Sequence, residues 1–154
     1  DLTGLPVSMK MFGAYNNAFS GKIDLTRLPS HIKGVKLQKN NLEGEIDLTH
    51  LPTSIFGLDV SHNRLCGELN FGNLPLSMRI LNLHENQFCG VVDISVIPLS
   101  LTQVNLSKNL FTSLVMVKER PKKNVIISEN DFQEVTDSNG YPLDLGEIRI
   151  GHRV

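Results

Sequence analysis

Pairs of apolar residues separated by one residue recur along the whole chain. The pairs are Phe12/Ala14, Val35/Leu37, Leu58/Val60, Leu81/Leu83, Val104/Leu106, Val125/Ile127 and Ile148/Ile150. An apolar residue at every second position is typical of a β-strand with one buried face. The pattern therefore predicts seven short strands, centred near residues 13, 36, 59, 82, 105, 126 and 149.

Prolines and asparagines place these pairs in a repeating unit. Six prolines beginning with Pro6 are equally spaced with a 23-residue period, and Asn17 to Asn109 keep the same spacing. Asn130 comes two residues early, so a two-residue deletion precedes Val125. A fixed period of this length indicates one repeat domain over residues 1-154. Its units are a partial repeat 1-5, repeats 6-28, 29-51, 52-74, 75-97, 98-120 and 121-141, and a partial repeat 142-154.

The central segment of each unit has the form Ile-x-x-Leu-x-Leu-x-x-Asn-x-Leu, as in residues 55–65, and it resembles the leucine-rich repeat. The following Leu/Phe-x-Gly-x-Ile/Val segment resembles the plant-type variant. The Asp-Leu-Thr-x-Leu-Pro tail is similar to 23-residue repeats of kinetoplastid leucine-rich proteins. The resemblance covers essentially the whole chain. It implies an α/β repeat fold: a right-handed solenoid, or horseshoe, with a parallel concave sheet of about seven short strands.

The residues between the strands limit how each unit returns. Parallel strands need a crossover connection, and about 18 residues per unit remain for it, which is too few for a long helix with two loops. Proline at each turn removes a backbone donor and favours an extended residue before it. We therefore expect extended or 3₁₀ segments on the convex side.

Three further apolar positions per unit should fill the core. They are Phe19, Leu42, Leu65, Phe88, Phe111 and Phe132, then Ile23, Ile46, Leu69, Val92 and Val115, then Leu25, Leu48, Phe71, Ile94 and Val117. One glycine position suits positive φ or close approach of another segment. It holds Gly21, Gly44, Gly67 and Gly90. Ser113 and Glu134 replace this glycine later, so repeats five and six should be locally distorted.

Two polar rows have structural interpretations. The asparagine of each unit follows the strand, where the turning backbone leaves N–H and C=O groups that an amide side chain can satisfy. A carboxylate recurs before an apolar residue and Thr or Ser, which is typical of an Asx turn. This row consists of Asp1, Asp24, Asp47, Asp93 and Asp137. The alternative for the carboxylates is a cation site or a general-acid role.

Composition narrows the function classes. Fifteen Lys and Arg against sixteen Asp and Glu give a net charge of -1, so no nucleic-acid partner is expected. No apolar run reaches the roughly 18 residues of a membrane helix, so no membrane insertion is expected. The sequence contains no nucleotide-binding loop and no nucleophile elbow. We therefore expect no cofactor and no enzymatic activity.

Histidines and cysteines add two further expectations. His62 and His84 should meet at adjacent strand ends, but Glu85 is the only candidate third ligand, so we expect solvent-facing histidines and no metal site. Cys66 and Cys89 share one repeat position and should be stacked neighbours within disulfide range, although we expect reduced thiols. The absence of a cysteine cap favours an intracellular location.

Strand residues that alternate with the buried pairs should form the solvent side of the concave sheet. Some of these residues are apolar although their side chains should face water. Tyr and Met are enriched in the cores of protein interfaces. Small Gly13, Gly34 and Gly57 should form a shallow strip among them. The alternative is a merely solvated face. The predicted partner-binding residues are Met11, Tyr15, Lys36, Gln38, Asp59, Ile80, Asn82, His84, Asn105, Ile126 and Arg149.

These features predict a non-enzymatic module that presents its concave sheet to a protein or peptide partner. An ectodomain fragment of a receptor or surface antigen, and an accessory segment of an enzyme, are the alternatives. The sequence begins and stops inside a repeat, so we expect a longer chain or edge-to-edge self-association near residues 146–150. The cations in residues 118–123 predict a solvated loop, with a partner-binding spur as the alternative.

Overall fold

Short strands alternate between two parallel sheets in the computed structural model, which describes residues 2–116 and 124–143. The strands are Met11–Gly13 (β1), Ser20–Gly21 (β2), Gly34–Lys36 (β3), Asn41–Gly44 (β4), Gly57–Asp59 (β5), Arg64–Gly67 (β6), Ile80–Asn82 (β7), Gln87–Asp93 (β8), Gln103–Asn105 (β9), Leu110–Met116 (β10), Asn124–Ile126 (β11) and Glu134–Asp137 (β12). Among the described residues the only helix is a 3₁₀ turn at Leu25–Arg27. That part of the chain therefore has no helix long enough to cross a membrane.

Each repeat contributes one strand to each sheet. The first sheet has the order β1-β3-β5-β7-β9-β11, and the second has the order β12-β10-β8-β6-β4-β2. The fold is thus a parallel β-solenoid with almost no helix. The first sheet contains six of the seven predicted strands, each within one residue of its expected centre. The seventh, near residue 149, lies outside the described residues. The second sheet occupies part of the segment for which the sequence predicts extended or 3₁₀ structure.

Equivalent residues of successive repeats lie side by side in the first sheet. Val35 pairs with Phe12 on one side and with Leu58 on the other, so both neighbours are one full repeat away along the chain. Val104 pairs with Val125, which is two residues closer than a full repeat, so the deletion of two residues before Val125 is confirmed. The repeat length predicted from the prolines is therefore the pairing step of this sheet.

The second sheet is staggered. Gly21 pairs with Leu42 and Cys66 pairs with Gln87, so each pairing step is two residues shorter than the 23-residue repeat. Cys89 therefore lies two residues along the strand from the partner of Cys66. With about 3.3 Å per residue and about 4.8 Å between strands, the two cysteine Cα atoms are about 8 Å apart, beyond disulfide range. The expectation that Cys66 and Cys89 stack is wrong because of this stagger, and both thiols are free as expected.

The core lies between the two sheets and follows the predicted apolar positions, with two corrections. Phe19 is 53% exposed, because it belongs to the first layer of the stack and a neighbouring layer covers one side only. Leu114, at 1% exposure, takes the buried position predicted for Val115. A register shift between Phe111 and Ser113 moves β10 by one residue, which is the distortion expected where serine replaces glycine. Val117 lies outside the described residues.

The asparagine row ties successive repeats together. The Asn40 amide donates to Leu37 O at 3.0 Å in its own repeat and to Ala14 O at 2.9 Å in the preceding one. Its Oδ1 accepts the Phe19 N–H at 3.1 Å. The same three bonds recur at Asn63, Asn86, Asn109 and Asn130. The structural interpretation of this row is confirmed.

The carboxylate row forms the expected Asx turns. Asp24 Oδ1 accepts the Thr26 N–H at 2.9 Å, and Asp93 Oδ1 accepts the Ser95 N–H at 2.8 Å. Hydrogen bonds from Thr49 and His50 lower the pKa of Asp47 to about 2. These bonds hold the carboxylate oxygens against their own turns.

Left-handed backbone occurs at two positions of the repeat. Gly21, Gly44, Gly67 and Gly90 have φ from 79° to 87°, as their sequence position predicts. A second row precedes the asparagines and carries side chains at φ from 53° to 58°. It consists of Asn16, Lys39, His62, Glu85, Lys108 and Glu129. The sequence has no glycine at this position and does not predict the row; the asparagine bonds hold it in place.

The chain departs from the repeat pattern after β12. Residues 137–143 fold back along that strand, with Leu143 donating its N–H to Val135 O at 2.8 Å and an antiparallel bridge between Thr136 and Pro142. β12 is therefore covered at this point. The loop predicted at residues 118–123 and the edge predicted at residues 146–150 lie outside the described residues.

Candidate binding groove

The open face of the first sheet carries three rows of side chains that run across the strands. Cα pairing aligns the first two rows, and backbone bonds between turns align the third. The first row is Met11, Gly34, Gly57, Ile80 and Gln103. The second row is Gly13, Lys36, Asp59, Asn82, Asn105 and Ile126. The third row is Tyr15, Gln38, Ser61, His84, Ser107 and Ser128.

A groove of about 580 Å³ crosses the first two rows. Its lining brings together six of the predicted partner-binding residues. These are Met11, Lys36, Gln38, Asp59, Ile80 and Asn82. Four other predicted residues do not line it, namely Tyr15, His84, Asn105 and Ile126. Arg149 lies outside the described residues.

The floor of the groove is open at one glycine and covered at the other. A Cβ atom on Gly34 would lie 2.5 Å from Met11 Cε, so the Met11 side chain lies over Gly34. A Cβ on Gly57 would meet only Ile80 Cβ, at 3.8 Å. The expected strip of three small residues is therefore reduced to an opening at Gly57.

Two residues that lie just before strands also line the groove, and the sequence pattern did not predict them as binding residues. Lys33 precedes β3 and Phe56 precedes β5, so neither belongs to the alternating strand pattern. Phe56 is 50% exposed and Met11 is 60% exposed, and together with half-buried Ile80 they surround the opening. The sequence does contain one indication of the role of Phe56. It is an aromatic residue at a repeat position where the neighbouring repeats have Lys33 and Arg79.

The polar row is held by bonds within the protein. Asp59 Oδ1 accepts the Ser61 N–H at 3.1 Å and the Ser61 hydroxyl at 2.7 Å. Asp59 Oδ2 accepts from the Asn82 amide at 3.1 Å, and Asn82 Oδ1 accepts from Gln103 Nε2 at 3.3 Å. Both carboxylate oxygens of Asp59 therefore already have donors. This side of the groove is ordered before any partner binds.

Lysines outnumber carboxylates in the lining of the groove. Lys33 and Lys36 are exposed, and within residues 2–116 and 124–143 neither ammonium group forms a salt bridge. Lys10, also exposed, lies beside Lys33 because its carbonyl accepts the Lys33 N–H at 2.7 Å. Asp59 is the one acidic residue in the lining; it is the strand partner of Lys36, and its charge offsets one of the two lysine charges. The groove therefore presents a net positive charge.

The third row borders the groove at the strand ends. Gln38 Oε1 is buried and has no hydrogen-bond partner, although its side chain lines the groove. Tyr15 is 49% exposed, and its Cε1 would lie 3.7 Å from a Cβ on Gly13, so the ring leans over Gly13. Tyr15 is thus beside the first strand of the groove rather than within it.

His62 and His84 meet as expected, with ring centroids 4.9 Å apart in an edge-to-face arrangement. His62 Nδ1 lies 2.7 Å from Glu85 Oε2, and Lys108 Nζ lies 3.0 Å from Glu85 Oε1. His84 is half-buried and its Nδ1 has no partner, so the expectation of a solvent-facing side chain is wrong for His84. Burial and the neighbouring His62 lower the pKa of His84. The described residues contain no group of three or more potential metal ligands.

These observations define a class of protein: a parallel β-solenoid whose first sheet carries an apolar opening flanked by two lysines that form no salt bridge among the described residues. A long, shallow groove on a regular sheet suits an extended ligand that contacts several repeats at once. No protein-family model and no curated protein matches the sequence.

Proposed function

We propose that this chain is a non-enzymatic interaction module whose groove receives a segment of a protein or peptide partner. The observation that carries the proposal is the opening at Gly57, with exposed Met11 and Phe56 and half-buried Ile80 around it. Methionine and aromatic residues are enriched where interfaces are fully buried. Apolar side chains around a pocket are the usual anchor points of a binding site.

Order in the free protein supports the same role. The Asp59, Asn82 and Gln103 side chains are already hydrogen-bonded to one another across three strands. A partner would not have to immobilise these side chains on binding. The entropy cost of ordering them, about 0.5–1.5 kcal/mol for each flexible side chain, is therefore largely avoided.

The solenoid itself is proposed to be a leucine-rich-repeat horseshoe with the groove on its concave side. The 23-residue pairing step of the first sheet and the asparagine bonds between repeats support this assignment. Right-handed coiling is expected because parallel crossover connections are right-handed in nearly all proteins. Small-angle X-ray scattering would test the curvature, since a straight rod of the same repeats has a longer maximum dimension.

Selection of peptides tests the function. A displayed library of random 12-residue peptides is selected on the immobilised chain, and binding of the enriched peptides is then measured on three variants. Gly57→Leu should fill the opening and abolish binding, and the double change Met11→Ala and Lys36→Ala, at two residues that line the groove, should weaken it. Gly4→Leu is the matched control, because a Cβ on Gly4 meets nothing within 4 Å and Gly4 is outside the groove.

Melting curves accompany the binding measurements. All three variants should melt close to the parent protein, because the substituted side chains are exposed or have room. Undiminished binding to both groove variants would place the binding surface elsewhere and contradict the proposal.

A further inference from the structure

We propose that the partner segment is an acidic peptide with an apolar residue at its centre, bound in extended form across β1 to β9. This inference rests on the proposed function of the groove and specifies its ligand. It commits to a segment of another protein rather than to a second copy of this chain. The charge, shape and length of the groove each favour this ligand.

Charge favours an acidic ligand. Lys33 and Lys36 line the groove without salt bridges among the described residues, and Lys10 lies beside Lys33. The opposing carboxylate, Asp59, already accepts hydrogen bonds on both oxygens. A basic ligand would meet two lysines against one carboxylate, and that carboxylate already accepts hydrogen bonds from Ser61 and Asn82. An acidic ligand would find ammonium groups on the flank of the opening.

Shape favours an apolar residue between the acidic ones. The opening at Gly57 lies between Met11, over Gly34, and Ile80, and Phe56 also lines the groove. A Cβ at Gly57 would be in ordinary contact with Ile80 Cβ, at 3.8 Å, and would meet no other atom within 4 Å, so a ligand side chain can approach the backbone there. The lysines lie to one side of this opening and within one strand of it. The chemistry that fits is a leucine or phenylalanine next to carboxylates.

Length favours a short extended segment. The lining runs from Met11 in β1 to Gln103 in β9, which is four strand spacings in the first sheet. At about 4.8 Å per spacing this is about 19 Å, the length of about six extended residues.

The test uses three capped, fluorescein-labelled hexapeptides and fluorescence polarisation. The first is Glu-Asp-Phe-Leu-Asp-Glu, the second replaces its acids with lysine, and the third replaces Phe-Leu with Ser-Gly. We expect the first to bind at least about tenfold tighter than either of the others, and its affinity to fall as salt is raised. Equal or tighter binding of the lysine peptide would overturn the inference.

Charge-reversal variants identify the lysines responsible. Lys33→Glu with Lys36→Glu should weaken binding of the acidic peptide by about tenfold or more. Lys22→Glu, an exposed lysine next to β2 of the second sheet, is the matched control and should change it less than about twofold. Lys33→Gln with Lys36→Gln repeats the test should the reversed double variant fail to fold. Unchanged affinity in a folded double variant would overturn the inference.

The random-peptide selection separates this inference from the proposed function. Enriched peptides that lack acids but lose binding in Gly57→Leu would overturn the acidic ligand and leave the groove as a binding site. Enriched peptides that bind Gly57→Leu as well as the parent would overturn both. Enriched acidic peptides that lose binding in Gly57→Leu and in the lysine variants would support both.

Discussion

Replacing Asn86 with alanine should be one of the most damaging single changes in the chain. The Asn86 amide donates to Val60 O at 3.0 Å and to Leu83 O at 3.1 Å, and its Oδ1 accepts the Leu65 N–H at 3.0 Å. All three bonds are in buried surroundings. Alanine leaves the Leu65 N–H without its acceptor and removes one of two amide donors from Val60 O and from Leu83 O, which keep Asn63 and Asn109.

The magnitude follows from one group left without a partner and two lost hydrogen bonds. A buried polar group without a partner costs about 1–3 kcal/mol, and each lost bond costs about 0.5–1.5 kcal/mol. Asn86 itself is 8% exposed, and it stands at a turn where water can reach some of the vacated space. We therefore expect a loss of about 2–4 kcal/mol in the free energy of unfolding, above the value of about 1 kcal/mol that is typical of single substitutions.

Asn17 is the matched control for this substitution. It is exposed, and its amide donates only to Ala14 O at 3.3 Å and Tyr15 O at 3.0 Å, both within its own turn. Asn17→Ala should cost less than about 1 kcal/mol, because water can replace both bonds.

Urea denaturation followed by circular dichroism measures both variants, and amide hydrogen exchange reports the site directly. The Leu65 N–H should exchange faster in Asn86→Ala, since it loses its acceptor. Equal stability losses for Asn86→Ala and Asn17→Ala would refute the view that this row holds the repeats together. Unchanged protection of Leu65 would do the same.

Three further outcomes are expected. Leu83→Ala should cost about 2–5 kcal/mol in urea denaturation, because Leu83 is fully buried between two layers; a shift too small to resolve would contradict the register. Gly67→Ala should destabilise the protein by at least about 1 kcal/mol, since φ is 87° and the added Cβ would lie 2.6 Å from Glu45 Cγ, whereas Gly57→Ala should be nearly neutral in the same assay. The folded pKa of His84 is below its ordinary 6.5, so the unfolded chain binds the proton more tightly. The melting temperature should therefore fall as the pH drops below 6.5, and His84→Gln should reduce that slope.

The first sheet could be predicted from the sequence because its determinants are local and repeated. A buried face at every second residue identifies each strand, as at Leu58 and Val60. The asparagine that follows each apolar pair marks the turn at the end of the strand. Since the same pattern returns with a 23-residue period, the pairing step follows directly from counting.

The second sheet and its stagger could not be predicted in the same way. β2 and β4 are only two and four residues long, and their residues show no clear alternation. Such strands form because stacked repeats place their backbones within hydrogen-bonding distance. The pairing of the second sheet is offset by two residues because of the path that the backbone takes in the turn between the sheets. The sequence pattern does not reveal that path.

The candidate site was predicted only in part for a related reason. Strand alternation identifies side chains that leave the sheet on its open face, and it correctly brings Lys36, Asp59 and Ile80 to one side. It does not say which of them surround a concavity. That depends on the bend before each strand, which brings Phe56 into the lining, and on the Met11 side chain covering Gly34.

The two pairing steps have a consequence for how such a chain changes length in evolution. Gain or loss of a whole 23-residue unit between β2 and β8 restores the same neighbours in both sheets, because these repeats carry the same offset of two residues in the second sheet. A two-residue loss has different effects on strand pairing in the two sheets. After the deletion the first sheet keeps equivalent residues paired, and β10 pairs with β12 without an offset. Duplication of complete units is thus the change that leaves the pairing of both sheets unaltered, whereas the two-residue loss removed the offset of the second sheet.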